Sequence, residues 1–208
     1  GHPVRVEAHV GDGLPAFNIV GLPDASCRES RDRVRAALLS SEFVVKQTKT
    51  TVNLAPTHLR KVGAGLDVAI AMALLVATGQ LDAELLRDHA FIGELGLDGT
   101  LRPVVGMLPL CEAVGELRPV VAHSSAPEAA LVRPDVRCAR TLVELVRCLK
   151  GDDPWPDADP VATSAVRPEE PDLADVQGQS VARKALEVAA ALQRRGLFDV
   201  LGEALQDD

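Results

Sequence analysis

Ten consecutive apolar residues, VAIAMALLVA at 68–77, follow Asp67 and stop just short of Gly79. This run is about half of the roughly twenty residues that a membrane helix needs. Asp67 is placed to cap a helix and Gly79 to end it, so the spacing predicts a helix over 68–77. A helix apolar on every side predicts burial on every side. The rest of the chain must therefore supply flanking layers, and its patterning predicts them. Residues 3–10 alternate apolar and polar, and after Gly11-Asp12-Gly13 residues 16–20 form a second run, which reads as an early strand meander. A strand pattern already under way at Pro3 reads as a chain whose native start lies before residue 1. Asp24 opens a helix over 25–41, and residues 50–54 form a β-branched strand closed by Pro56. Residues 91–97 and 100–104 flank Asp98-Gly99, a hairpin signal. Helices over 106–117, 126–132 and 141–150 then alternate with strands at 119–122 and 136–139. The expectation is an α/β domain with a mixed sheet.

This domain is expected to span 1–150. Residues 151–171 carry five prolines and six acids against one arginine, the composition of a stiff acidic linker. Residues 172–208 resume helical spacing, clearly over 179–195 and weakly over 197–205, yet are too few to bury a core alone. Charge follows the same division. Residues 1–150 hold 17 basic and 17 acidic side chains, whereas 151–208 hold 5 and 13, so the tail carries the whole net charge of −8. Neither part has the basic excess of a sequence-independent nucleic-acid binder. With aromatics at 2%, a base-stacking platform is also excluded, and the core must be aliphatic.

Candidate chemistries fail residue by residue. Cys27, Cys111, Cys138 and Cys148 form no Cys-x-x-Cys pair, and the five histidines lack ligand spacing, so no metal site is expected. No Gly-Lys-Ser/Thr phosphate loop occurs. Gly63-Ala64-Gly65 opens a helix, but the Asp67 carboxylate would repel a phosphate there. Glu94 and Asp98 read as turn carboxylates, and His123 with Ser124 and Ser125 lacks an orienting acid. With no basic-then-apolar leader and no membrane-length run, the chain reads as cytoplasmic. One surface remains. Arg28, Arg31 and Arg35 share a helix face opposite Cys27, Val34 and Leu38, with Glu29 and Asp32 spaced to pair with Arg33 and Arg28. That face reads as solvated, as a subunit contact or as a DNA contact.

Several strings carry a likeness: GLPAFNIVGLPD at 13–24, RESRDRVRAA at 28–37, VNLAP at 52–56, GAGLDVAI at 63–70 and IGELGLDGTLRPV at 92–104. Together they closely resemble the amino-terminal, ChlI-like domain of the ComM/YifB family of magnesium-chelatase-like AAA+ ATPases. The resemblance implies a two-layer α/β fold shared with the Lon protease domain and a ribosomal small-subunit protein, plus a helical carboxyl-terminal appendage. It also implies a hexameric, ATP- and Mg²⁺-dependent protein acting in DNA branch migration during natural transformation, with no membrane partner. DLADVQGQ at 172–179 resembles the entry to the AAA+ module, which makes Val176, Gly178 and Gln179 one edge of an adenine pocket. After Ala191 the likeness stops at LQRRGLF, where the family continues into its Walker A loop, so no cofactor is expected on this chain itself. Lon-type proteolysis needs a serine and a lysine. The matching positions, at 63–65 and near Leu108, hold neither, so autonomous catalysis is not expected. A chaperone or metal-insertion role, or a free-standing interaction module, are the alternative readings.

Overall fold

The computed structural model describes residues 2–158 and 178–193. The chain divides into two units, Gly1–Ala162 and Thr163–Asp208.

In the first unit, strands β1 (Arg5–Gly11), β2 (Ala16–Val20) and β3 (Lys49–Ala55) form one sheet in the order β1-β3-β2. The meander is not what forms. β3 inserts between the first two strands, antiparallel to β1 and parallel to β2. The reason is the crossover: helix α1 (Ala25–Ser40) joins β2 to β3, and parallel neighbours need such a connection. The central strand buries Val52 and Leu54 completely. Asp24 caps α1 as the sequence indicates, its Oδ1 accepting the Cys27 N–H at 2.7 Å.

The apolar run forms helix α2 (Asp67–Ala77), packed against α1, β1 and strand β4 (His89–Ile92). Burial on every side is corrected. Val68, Ile70, Ala71, Met72, Leu74 and Leu75 are buried, but Ala69, Ala73, Val76 and Ala77 are only half-buried. That face opens into a cavity whose walls include β1, β4 and, further along the chain, Leu110 and Ala113.

The single strand expected at 91–97 is split at Gly93. The Gly93 N–H donates to the Gly65 carbonyl and its own carbonyl accepts from Val68, which ties this residue to the start of α2. A Cβ at Gly93 would come within 3.1 Å of Val68 Cγ2, a close approach that suits glycine. The hairpin shortens to β5 (Glu94–Leu95) and β6 (Leu101–Arg102) around the expected turn, with Gly99 at φ +84 and Asp98 Oδ1 accepting from Thr100 Oγ1 at 2.7 Å. After α3 (Met107–Ala113), strands β7 (Arg118–Ala122) and β8 (Arg137–Ala139), bridged by α4 (Ala126–Ala130), join β4 in an all-parallel sheet of order β4-β7-β8. Mixed strand directions are thus distributed over three small sheets.

Helix α5 (Leu142–Lys150) ends at Gly151, but the chain does not leave the domain there. Trp155 packs against the main core, stacks on His89 with centroids 5.9 Å apart and lies under the Arg137 guanidinium. The Cys148 and Cys138 thiols donate to the carbonyls of Pro154 and Pro156. The domain therefore continues past the expected boundary at 150, because Trp155 is drawn onto the core beside Phe91, and the first unit runs to Ala162.

In the second unit, helix α6 (Ser180–Gln193) leaves Val181, Leu186 and Val188 exposed. The weaker pattern at 197–205 and Val176 lie outside the described residues.

Candidate functional site

The strings singled out in the sequence converge on one cluster at the start of α1 and α2. Asp24 bonds twice: one carboxylate oxygen caps α1, and the other accepts the Gly63 N–H at 3.2 Å. The chain beside it is pinned by backbone bonds from Asp24 N–H to the Lys61 carbonyl and from Lys61 N–H to the Leu22 carbonyl. Lys61 is buried, and its ammonium donates to the Pro56 carbonyl.

Asp67 is not a cap, which corrects the sequence reading. It is the first residue of α2, after Leu66, and makes no capping bond. The helix start is satisfied by backbone instead, Asp67 N–H to the Ala64 carbonyl and Val68 N–H to the Gly93 carbonyl. The carboxylate is free to turn inward. It is fully buried and takes a two-pronged contact from Arg33, Nε to Oδ2 at 2.7 Å and Nη2 to Oδ1 at 3.1 Å. The Leu95 N–H adds a third bond at 3.2 Å. Arg33 also donates to the Ser26 carbonyl and Ser30 Oγ, with Glu29 at 3.8 Å. The Asp67 carboxylate holds the Arg33 guanidinium above its already high value. A buried pair with its hydrogen bonds filled specifies one arrangement of the three segments that meet there. Removing one partner of such a pair costs about 3–5 kcal/mol.

The arrangement ties the starts of α1 and α2 to the 61–63 segment and to β5. Burial, then the nearby Asp24 and Asp67, push the Cys27 thiol up to about 11, so it is no nucleophile at neutral pH. Burial also raises Cys111 and Cys148. His123 contacts the Arg140 guanidinium at 2.9 Å and the Asp157 carbonyl at 3.2 Å, while Ser125 is buried.

On the outer face of α1, Arg28, Arg31 and Arg35 are all exposed, as their spacing predicts. Asp32 pairs with its neighbour Arg31 at 3.0 Å in place of Arg28, and that hydrogen bond holds the Asp32 carboxyl below the usual carboxylate range. Arg31 and Arg35 border a cavity of about 200 Å³ with Phe17, Lys46 and Thr48. Sequence reasoning did not identify this cavity; the only signal was the cationic pair at i, i+4.

The residues of the Asp24–Asp67 cluster fall inside a longer match. Residues 6–121 fit the family model described as subunit ChlI of Mg-chelatase. Across 202 residues the chain is 40% identical to the competence protein ComM of Haemophilus influenzae, covering 94% of this chain and 40% of that protein. An uncharacterised Mycobacterium tuberculosis protein is 44% identical over 196 residues, covering 92% and 39%. YifB of Escherichia coli is 38% identical over 193, covering 91% and 38%. The chain belongs to the ComM/YifB family of magnesium-chelatase-like proteins. It spans about 40% of the length of these relatives.

The family implies ATP and Mg²⁺ for a full-length protein, and the turn at 63–65 does not fit a triphosphate. At Gly63-Ala64-Gly65 the Gly63 N–H is already taken by the Asp24 carboxylate, with Asp67 just beyond, so an anion would meet two others. Gly178 and Gln179 are exposed, and the Gln179 carbonyl accepts from Arg183 at the start of α6. Among the described residues no three His, Cys, Asp or Glu side chains are grouped to hold a metal, and no helix is long and apolar enough to cross a membrane.

Proposed function

We propose that this chain is an accessory, ChlI-like domain of a ComM/YifB-type AAA+ protein, whose ATP- and Mg²⁺-dependent motor lies outside residues 1–208. In this reading the domain shares the two-layer fold of the Lon protease domain and a ribosomal small-subunit protein without its serine–lysine chemistry. An acidic proline-rich linker and a helical appendage, the entry of the AAA+ module, follow it. The whole protein assembles as a ring in the cytoplasm and drives DNA branch migration during natural transformation. The arginine face of Arg28, Arg31 and Arg35 meets a neighbouring subunit.

One observation carries the reading. Key residues by which the chain resembles its family are engaged internally, Asp24 with Gly63 and Asp67 with Arg33 and Leu95, which is what a positioning role requires. Titration of the chain with a non-hydrolysable ATP analogue and Mg²⁺, together with a phosphate-release assay, tests it. The expected result is no release and a Kd in the millimolar range, about −4 kcal/mol or weaker. Micromolar binding with release would place a motor in this chain and overturn the proposal. For the arginine face, the isolated chain should bind DNA no better than the non-specific range of about 10⁻⁴ M at physiological salt. Sub-micromolar binding lost in an Arg28/Arg31/Arg35 triple alanine variant would make that face a DNA contact instead.

A further inference from the structure

The half-buried face of α2 is the floor of a groove of about 680 Å³, bounded by β1 on one side and β4 on the other. Its floor residues Ala69, Ala73 and Ala77 are small, so the groove is deep enough for larger side chains from an occupant. Both walls are sheet edges. β1 has only β3 as a neighbour and β4 only β7, among the described residues. An unpaired edge presents a row of backbone donors and acceptors, and these groups require partners when covered. An apolar floor between two open edges fits an extended backbone, whose side chains alternate between floor and outside. The rim adds a charge requirement. Arg5 and Arg60, both exposed, line the groove, and no Asp or Glu does; Lys61 also borders it, but its ammonium is buried on the Pro56 carbonyl.

We propose that one extended strand fills this groove, apolar at alternate positions and acidic at its flanks, supplied by the part of the protein outside residues 1–208. It pairs with the free edge of β1 and faces β4 across the groove, covering the exposed side of α2. The length of the relatives, of which this chain spans about 40%, provides ample polypeptide for it. A second copy of this chain is disfavoured as occupant. A two-fold contact between grooves would set the same cationic rim against itself. The proposal rests on the accessory-domain reading, whose own test is nucleotide turnover; groove accessibility reports on the strand alone.

The four native cysteines are all buried, so an introduced thiol reports its own surroundings. Ala73→Cys would be labelled with a maleimide in the 208-residue chain and in the longer natural polypeptide, with Leu131→Cys, at an exposed position, as the reference thiol. Amide exchange at β1 and β4 would be followed in both unmodified proteins. If Ala73→Cys impairs folding, Ala69→Cys replaces it. The expected result is labelling slower by about tenfold or more in the longer protein, with matching protection of β1 amides, because a thiol beneath a packed strand reacts only on local opening. This protection should be independent of protein concentration. Equal labelling in the two proteins would overturn the proposal. So would a protected thiol with unchanged β1 exchange, since the cover would then not be a strand, and so would protection that appears only on self-association.

Discussion

The two sides of α2 follow opposite rules although both descend from one apolar run. At its start, Asp67 is locked by Arg33 and Leu95, and the adjoining Val68, Ile70 and Leu75 are sealed in the core. Across the helix, Ala69, Ala73 and Ala77 face an open groove. The first side shows how a buried charge is held once its bonds are filled. The second shows that apolar composition alone does not choose a partner. A helix surface is committed only where the fold brings another element to it.

The sharpest way to break this contrast is at Asp67. Asp67→Ala should lose about 3 kcal/mol, the low end for a broken buried pair, because the half-buried Arg33 loses its two-pronged partner and keeps only the exposed Glu29 at 3.8 Å. Asp67→Asn should be nearly as damaging, unlike at a cap, where Asn replaces Asp well. Replacing both partners, Arg33→Met with Asp67→Leu, should recover most of the loss. Urea denaturation of the three variants measures this, and a silent Asp67→Asn would mean that the ion pair contributes little.

Next come the two faces directly. Leu75→Ala, on the sealed side, should cost roughly 2–5 kcal/mol as a core truncation, whereas Ala73→Ser on the groove side should stay within about 0.5 kcal/mol. Equal effects would show that the groove is closed in the isolated chain. Ending the chain at residue 150, or substituting Trp155→Ala, should cost roughly 2 kcal/mol, under the 3–5 of a fully buried aromatic because this indole is half-buried. Ending it at 162, where the first unit ends, should leave the melting midpoint of that unit unchanged.

The smallest effect is a pH dependence at the groove wall. Burial, and then the nearby Arg118, hold His89 below its ordinary value. The folded state therefore binds fewer protons than the unfolded one, and this contribution weakens stability as pH falls below about 6.5. Above that range it has no effect. His89→Phe, which retains a ring against Trp155, should flatten this acid limb in denaturation curves at pH 5 to 7.

Interactions close along the chain were legible in the residues themselves. Asp24 caps α1 through a bond three residues long, and Asp98-Gly99 turns the β5–β6 hairpin. The arginine face of α1 and the aliphatic core followed from helical period and from the scarcity of aromatics. In each case the determining partners lie within a turn or two, so local geometry decides. The family likeness was legible as well, because whole strings persist where single residues would not speak.

Tertiary structure alone decided the rest. Arg33 and Asp67 are 34 positions apart, and nothing in their neighbours says that one guanidinium of four on α1 turns inward. β3 displaces β1 from β2 because the α1 crossover makes β2 and β3 parallel neighbours, a choice made by chain path. Gly93 divides a continuous strand pattern because Gly65 and Val68 meet it from elsewhere in the sequence. Trp155 returns to the domain past a helix stop, and β1 and β4 are brought together as walls of the α2 groove. Hydrophobicity is non-directional and states only that a surface should be covered. Which surface covers it depends on contacts between distant segments, and those exist only once the chain has folded.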